Sequence, residues 1–370
     1  MGISAALLTA ERSTNIDADY PVRTWRDFAG NPDFEKLFRF SEREIPRLIA
    51  AMELPAVIKT ACRRRFSDDQ AISVLLYRLS QRCTYLGINK EFGLKRSAAS
   101  ALLNWTYEYL HTRWYKPLFV TDFKRWAPFF PEWAAAVHAK SGYEGPDGVP
   151  WFVDGSLHEV AQPEGQALQA AYFNFSKWTH ANLMQGCLAV CGIIIDCAGP
   201  CPGAHNDQYI LNWSRLLSRF KSALEWAAEQ AWGEWDWPHG RFYGIGDAGY
   251  ARSILLHVPF KNVPGLEMPR AQRAANLKLS RVRIPNEWIF GRIEALFPMV
   301  EEKDFMQTAV VPVAKIYICA AMLTNAHTCL RGNATSQYFG VRPPTLEWYF
   351  DSAPQVEACP PAWYELPAPH

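Results

Sequence analysis

Two apolar runs that each end in an aspartate most constrain how this chain can fold. In "WFVDG", Asp154 follows three large apolar residues and precedes a glycine, and in "FYGIGDAG", Asp247 follows a second apolar run and is surrounded by glycines. Short apolar runs bounded by glycines predict buried strands. The two acids therefore lie in the same setting, and the glycines leave room for a metal ion and a substrate backbone to approach them.

The glycines around Asp247 also satisfy a different pattern. Residues 244–249 match G-x-G-x-x-G, the dinucleotide-binding fingerprint, which has to lead directly into a helix and be followed by a ribose-binding acid about twenty residues later. Here Pro259 would stop such a helix early, and Glu267 lies in a loop bracketed by prolines. Asp247 would also repel a pyrophosphate. We therefore favour a carboxylate site and keep a nicotinamide-dependent oxidoreductase as an alternative.

A third acid, Glu287, follows Asp247 by 40 residues. The segment "IPNEWIFGRIEALF" predicts a helix with Pro285 in its first turn, where the positive end of the helix would keep Glu287 ionised. With no nearby histidine or cysteine as a fourth ligand, three carboxylates suit Mg²⁺ or Mn²⁺ rather than Zn²⁺. Each acid taken alone could equally be a turn former, a cap or a surface charge.

The front half of the chain is predicted to be helical and basic. Two helical stretches, at about 84–92 and 96–110, flank "FGL", and this arrangement predicts a helix-turn-helix. The second helix opens with side chains able to contact phosphates or base edges: Lys95, Arg96, Ser97 and Ser100. Residues 61–120 carry a net charge of +6 in a chain of net charge +1, which indicates a polyanionic partner. A helical hairpin with a solvated charged face is the alternative.

Composition divides the chain into three parts. Residues 1–140 are predicted to be a helical region with the helix-turn-helix at about 67–112. Residues 141–150 are rich in turn formers and predict a linker, and the strands and helices of 141–335 indicate an α/β or α+β catalytic domain. Residues 336–370 predict a proline-rich tail.

Three segments of the catalytic region carry further structural predictions. "PWFVDGSLHEVA" predicts a strand, a turn and a second strand. "GCLAVCGIIIDCAG" predicts a buried β stretch, and "NDQYILNWSRLLSRFKSALEWAAEQAW" predicts one long amphipathic helix with an Asn/Asp cap.

The nine cysteines are expected to be free thiols in a reducing compartment, because no secretory leader or apolar run long enough to span a membrane is apparent. Four of them, Cys187, Cys191, Cys197 and Cys201, are spaced C-x3-C-x5-C-x3-C. This is not the spacing of a standard zinc finger or ribbon, so buried thiols are favoured over a zinc site.

Taken together and in order, the motifs resemble those of the PIF/Harbinger superfamily of DDE transposases, which includes bacterial insertion-sequence relatives and a domesticated vertebrate nuclease. The resemblance covers about residues 33–350. The matching stretches are "VDGS", "YFNFSKWTHANLMQG", "CPGAHNDQYIL", "GDAGY", "RAANLKLSRVRIPNEWIFGRIEALF", the helix-turn-helix with "FRFSEREIPRLI" before it, and "YFGVRPPTLEWYF". One departure is Arg292-Ile293, where the family has Leu-Lys, and it puts one substrate-backbone contact in doubt.

The resemblance implies an RNase H-like catalytic domain with a mixed sheet flanked by helices, preceded by the helical DNA-binding region. It implies that Asp154, Asp247 and Glu287 are the catalytic acids and hold two divalent ions, Mg²⁺ or Mn²⁺. Asp207 matches a further family acid, although a role as helix cap explains it as well. Substrate-DNA contacts are implied for Lys177, His180, Arg281 and Arg283.

The activity implied is metal-dependent hydrolysis of DNA phosphodiesters, with strand transfer as a possible second step, on double-stranded transposon ends and target DNA. A Myb-like accessory protein, a homo-oligomer and a nuclear location in a eukaryote (otherwise cytoplasmic) are expected on the same basis. A domesticated descendant that binds DNA as a regulator, with reduced or no cleavage, is the main alternative. A nuclease acting on RNA or hybrids is another, against which the helix-turn-helix argues.

Overall fold

The computed structural model describes residues 20–120, 123–141, 148–229, 242–262, 265–308 and 310–351, with the side chains of residues 141 and 283–287 outside the description. Its α-helices are α1 Phe34–Phe38, α2 Glu44–Ala51, α3 Asp68–Gln81, α4 Tyr85–Phe92, α5 Arg96–Phe119, α6 Phe130–Ser141, α7 Gln166–Tyr172, α8 Asp207–Trp213, α9 Leu216–Glu229, α10 Arg270–Leu296, α11 Val313–Arg331, α12 Ala334–Phe339 and α13 Leu346–Phe350. Short 3₁₀ helices span Trp25–Phe28, Ala127–Phe129 and Pro298–Glu301. The strands are β1 Ile58–Lys59, β2 Arg65–Phe66, β3 Gly148–Glu159, β4 Phe173–Asn174, β5 Thr179–Ala189, β6 Ile194–Pro202, β7 Phe242–Ile245 and β8 Leu256–His257.

The described residues form two compact units. The first takes its residues from Met1–Trp114, Glu159–Pro163 and Ile293–His327, and the second from Tyr115–His158, Glu164–Arg292 and Thr328–His370. The domain boundaries at residues 140 and 335 that composition suggests remain predictions.

Helices dominate the first unit. The Ser67 hydroxyl accepts a hydrogen bond from the Gln70 backbone N–H, and the Gln70 side chain accepts one from the Ser67 N–H, which forms a capping box at the start of α3. The predicted helices at 84–92 and 96–110 are confirmed as α4 and the first part of α5. Between them Gly93 adopts a left-handed φ of 66°, as expected where one helix ends and the chain turns.

Helix α11 is both long and apolar. By length and composition it could cross a membrane, but 67% of its apolar window is buried inside the protein. This burial is typical of a core helix, for which such a composition is ordinary.

A mixed six-stranded sheet organises the second unit, in the order β4-β5-β3-β7-β8, and β6 also pairs with β5. β5 pairs antiparallel with β4 and β6, whereas β7 pairs parallel with both β3 and β8. The sequence-based expectation of a mixed sheet in an α/β domain is therefore confirmed.

Helices cover both faces of this sheet. Trp151 and Phe152 are consecutive in β3 and fully buried, so their side chains point to opposite faces. The Trp151 ring packs edge-to-face on Phe220 of α9 at 5.0 Å, and the Phe152 ring stacks on Phe339 of α12 at 5.8 Å. Gly244 of β7 lies under the Trp151 ring, where a Cβ would overlap it.

Three predictions of local structure are wrong. "PWFVDGSLHEVA" does not turn, because β3 runs unbroken from Gly148 to Glu159 alongside β5. The long helix after residue 206 is two helices, α8 and α9. Arg215 between them adopts a left-handed φ of 52°, and the Arg219 guanidinium donates a hydrogen bond to the Ser214 carbonyl.

The third correction concerns Pro285, which was expected in the first turn of a helix. It lies instead inside the 27-residue helix α10, where proline leaves the carbonyl four residues earlier without its usual donor. That carbonyl belongs to Arg281, and the Tyr338 hydroxyl donates a hydrogen bond to it at 3.3 Å. A tertiary contact thus satisfies the group that proline frees, and Glu287 is not near the positive end of the helix.

Candidate carboxylate site

The sheet register brings Asp154 and Asp247 level with each other. Phe152 of β3 pairs with Ile245 of β7 in parallel register, and each aspartate comes two residues later along its own strand direction. Asp154 is still within β3, whereas Asp247 lies in the loop that follows β7. Because parallel strands advance together, the two acids emerge side by side.

A third acid, Asp207, reaches the same place from the start of α8. The cap of this helix is Asn206, whose side-chain oxygen accepts a hydrogen bond from the Tyr209 N–H at 2.9 Å. A Cβ built on Gly155 would overlap Asp207 Oδ1. One built on Gly249 would lie 2.7 Å from Asp207 Oδ2 and 2.9 Å from Asp247 Oδ1. The two glycines therefore leave the space in which the carboxylates converge.

Short backbone hydrogen bonds fix the loop geometry. The Gly155 N–H donates to Asp154 Oδ1 at 3.0 Å, and the Gly249 N–H donates to Asp247 Oδ1 at 2.7 Å. The Ala251 N–H donates to the side-chain oxygen of Gln208 at 2.6 Å. The last bond ties the loop after β7 to the first turn of α8.

The surroundings of Asp207 change its ionisation. Burial, and then the charge of Asp247, raise the pKa of Asp207 to about 6. The Tyr250 hydroxyl is also buried and has no hydrogen-bond partner among the described residues. Burial raises the pKa of Tyr250 well above its usual value, and the charges of Asp207, Asp154 and Asp247 raise it further. The site therefore brings acidic side chains together with a buried hydroxyl that has unused hydrogen-bonding capacity.

The backbone of Glu287 lies in the interior of α10, and its side chain is outside the described residues. About one turn after Glu287, helix α10 packs onto the sheet. Ile289 lies against Gly186 of β5, with 2.8 Å between Ile289 Cγ2 and a Cβ built there. The rings of Phe290 and His158, a residue of β3, are 5.6 Å apart. This part of α10 therefore lies over the two strands at the centre of the sheet.

The donor set fits hard divalent cations. Within the described part of the chain, no three histidine, cysteine or acidic side chains are grouped closely enough to hold one ion. Asp154, Asp207 and Asp247 nevertheless offer only oxygen donors, as Mg²⁺ and Mn²⁺ prefer. Burial is the main cause of the raised pKa of Asp207, and a cation between Asp207 and Asp247 would relieve the second cause, the charge of Asp247.

The four cysteines considered for zinc are buried, and among the described residues they form no metal-binding group. Cys187 lies in β5, Cys197 and Cys201 lie in β6, and Cys191 lies in the turn between the two strands. Burial raises the pKa of Cys191 and Cys201 to about 12. They are therefore neutral core thiols at ordinary pH.

The residues expected to contact DNA lie mainly at the surface. Lys95, Arg96 and Ser97 are exposed and Ser100 is partly exposed, and Arg64 Nη2 donates a hydrogen bond to Ser97 Oγ at 3.0 Å.

In the second unit, Lys177 and Arg281 are exposed, His180 is partly exposed, and the side chain of Arg283 lies outside the described residues. These DNA contacts stay predictions.

Sequence reasoning missed two features of the second unit. The motif "GDAGY" gives Tyr250 no role of its own, although a tyrosine three residues after a strand-end acid is a signal that could have marked it. Phe175 and Trp178, on either side of Lys177, are among the most exposed large apolar side chains of the described chain. Their position in a short turn between two strands is visible only in the structure.

Comparison with known proteins gives a match to a family model. Residues 153–325 match the family model described as DDE superfamily endonuclease, a segment that includes Asp154, Asp207, Asp247 and Glu287. Neither a curated protein nor a solved structure matches the chain.

Proposed function

We propose that this protein is a metal-dependent DNA endonuclease of the DDE type, related to PIF/Harbinger transposases. The observation that carries the proposal is the parallel register that sets Asp154 beside Asp247, inside the segment that matches the endonuclease model. An RNase H-like arrangement of the sheet and a DNA-binding role for α4 and α5 belong to the same proposal.

Asp154, Asp247 and Glu287 would hold two divalent ions, and Asp207 lies close enough to Asp247 to assist them. When bound, such ions supply the Lewis acidity that stabilises negative charge on a phosphate undergoing displacement. The chain itself positions the carboxylates through the Gly155 and Gly249 backbone hydrogen bonds. The helical unit would supply cationic contacts to duplex DNA, whose phosphates account for much of the affinity of such proteins.

The test is a Mg²⁺-dependent nicking assay on duplex DNA carrying candidate element ends. Asp154→Asn and Asp247→Asn each remove a ligand charge with little change in volume. Each is expected to lower cleavage by at least ~10³-fold, the scale on which loss of catalytic electrostatics acts, while leaving DNA affinity within a few-fold of the parent protein.

Asp304→Asn is the matched control, because Asp304 is exposed and belongs to the other unit. It should leave both cleavage and binding unchanged. Full cleavage by either site variant would refute the carboxylate assignment, and equal cleavage in EDTA would refute the metal requirement.

A further inference from the structure

Residues 173–180, "FNFSKWTH", form an aromatic tip where β4 turns into β5. Phe175 is 73% exposed and Trp178 is 78% exposed. Aromatic side chains of this size are usually buried. Two of them exposed within one short turn indicate a binding surface.

Internal contacts hold the tip in one conformation. The side-chain oxygen of Asn174 accepts hydrogen bonds from the Ser176 N–H at 3.1 Å, the Ser176 hydroxyl at 2.6 Å and the Lys177 N–H at 3.0 Å. The Phe173 ring makes edge-to-face contacts with the rings of Phe175 at 5.0 Å and Trp178 at 6.1 Å. The exposed rings are therefore set in place before a ligand arrives, which reduces the entropy lost on binding.

The chemistry of the tip matches a nucleic acid. Lys177 is exposed and lies between Phe175 and Trp178 in the sequence, and the eight-residue segment contains no acid. Flat aromatic faces beside a cation provide stacking for bases and attraction for phosphates. An apolar protein partner would gain from the rings but would have to desolvate the ammonium group.

The tip is also joined to the carboxylate site. Asn174 Nδ2 donates a hydrogen bond to the Gly203 carbonyl at 2.7 Å, and the Ala204 N–H donates one to the Ala171 carbonyl at 3.1 Å. This anchored loop leads within three residues to Asp207, at the first position of α8. A DNA strand at the carboxylates is therefore expected to reach the tip.

From these observations we infer that the aromatic tip stacks on bases displaced from the duplex beside the cleaved phosphate. Trp178 and Phe175 provide the stacking surfaces, and Lys177 pairs with the backbone of the displaced strand. The inference rests on the proposed function, since it specifies which form of DNA the carboxylate site takes.

The test compares binding to a short DNA duplex with binding to the same duplex carrying a few unpaired bases, one of them 2-aminopurine. All measurements are made in EDTA, so that cleavage plays no part. The parent protein is expected to bind the second duplex about tenfold more tightly, the scale of stacking one base on an aromatic ring, and to quench the 2-aminopurine fluorescence. Trp178→Ala should lose both effects, and Trp178→Phe should retain most of each.

Leu266→Ala is the matched control, since Leu266 is 71% exposed in the same unit and its loss should change neither effect. A Trp178→Ala protein that keeps the preference for unpaired bases overturns the inference. The inference is also overturned if the only change in the Trp178→Ala protein is a smaller mass in sedimentation. The tip would then be a contact between protein chains. Failure of the parent protein to bind either duplex removes the proposed function as well, whereas binding to both without preference removes this inference alone.

Discussion

At the scale of single residues, substitutions of Gly155 and Asp207 can test the geometry of the site without any assay of activity. A Cβ at position 155 would overlap Asp207 Oδ1, so Gly155→Ala should displace a half-buried carboxylate. Overpacking of this kind costs about 1–3 kcal/mol. Urea unfolding of Gly155→Ala is expected to show a loss of that size.

The same substitution in an Asp207→Ala background should cost much less, because the overlapping atoms are gone. The difference between the two backgrounds is an interaction free energy of roughly 1–2 kcal/mol. Equal losses in both backgrounds would mean that Asp207 does not lie against Gly155.

The sequence allowed part of this site to be predicted. Asp154 and Asp247 stand out because an acid after an apolar run is a local pattern. Asp207 was left undecided because its neighbour Asn206 is an equally good cap, and only the observed bond from the Tyr209 N–H to Asn206 decides between them. Tyr250 belongs to the site because it is buried beside three acids from separate segments of the chain. No rule about residue spacing predicts that arrangement.

At the scale of elements, one buried ion pair joins β6 to α9. Arg219 Nη1 lies 2.5 Å from Asp196 Oδ2, with side-chain exposures of 8% and 1%. Removing one partner of such a pair leaves an uncompensated buried charge and costs about 3–5 kcal/mol. Asp196→Ala should therefore lower the free energy of unfolding by that amount, as measured by urea denaturation.

The double variant Asp196→Leu with Arg219→Met is the informative comparison. It leaves no buried charge behind, so its free energy of unfolding should fall by much less than that of Asp196→Ala. Lys221→Ala, which removes one member of an exposed pair with Glu225, should cost less than about 1 kcal/mol. A double variant as unstable as the single one would show that the loss in Asp196→Ala does not come from an uncompensated buried charge.

The same contacts explain why some elements were mispredicted. The apolar period continues through Ser214 and Arg215, so local pattern favours one helix. The break depends on Arg219, which bonds both the Ser214 carbonyl and Asp196. Pro285 was placed at a helix start because a proline there needs no donor. In the helix interior, the carbonyl that it leaves without a donor accepts a hydrogen bond from Tyr338, 57 residues away, which local sequence does not reveal.

At the scale of the whole molecule, the first unit draws on distant parts of the chain. The Arg39 guanidinium donates a hydrogen bond to the Leu296 carbonyl at 2.8 Å, and the Phe40 and His327 rings are 5.7 Å apart. Lys315 and Glu108 form an ion pair. Besides its buried alanines, the part of α11 that belongs to this unit also carries six apolar side chains with at most 2% exposure: Ile316, Tyr317, Ile318, Cys319, Met322 and Leu323. Residues 293–327 therefore complete the core that the N-terminal helices begin.

A fragment of residues 20–114 alone should consequently fail to fold cooperatively. Leaving out even four such side chains forfeits about 6–12 kcal/mol of burial, which is comparable to the whole stability of a domain, about 5–15 kcal/mol. Joining residues 293–327 to the fragment through a flexible Gly/Ser linker should restore a sigmoidal urea transition followed by circular dichroism. The matched control carries Leu323→Asp and Met322→Asp in the added segment, and it should lose the transition again. A cooperative transition of the shorter fragment by itself would show that the N-terminal helices form an independent domain.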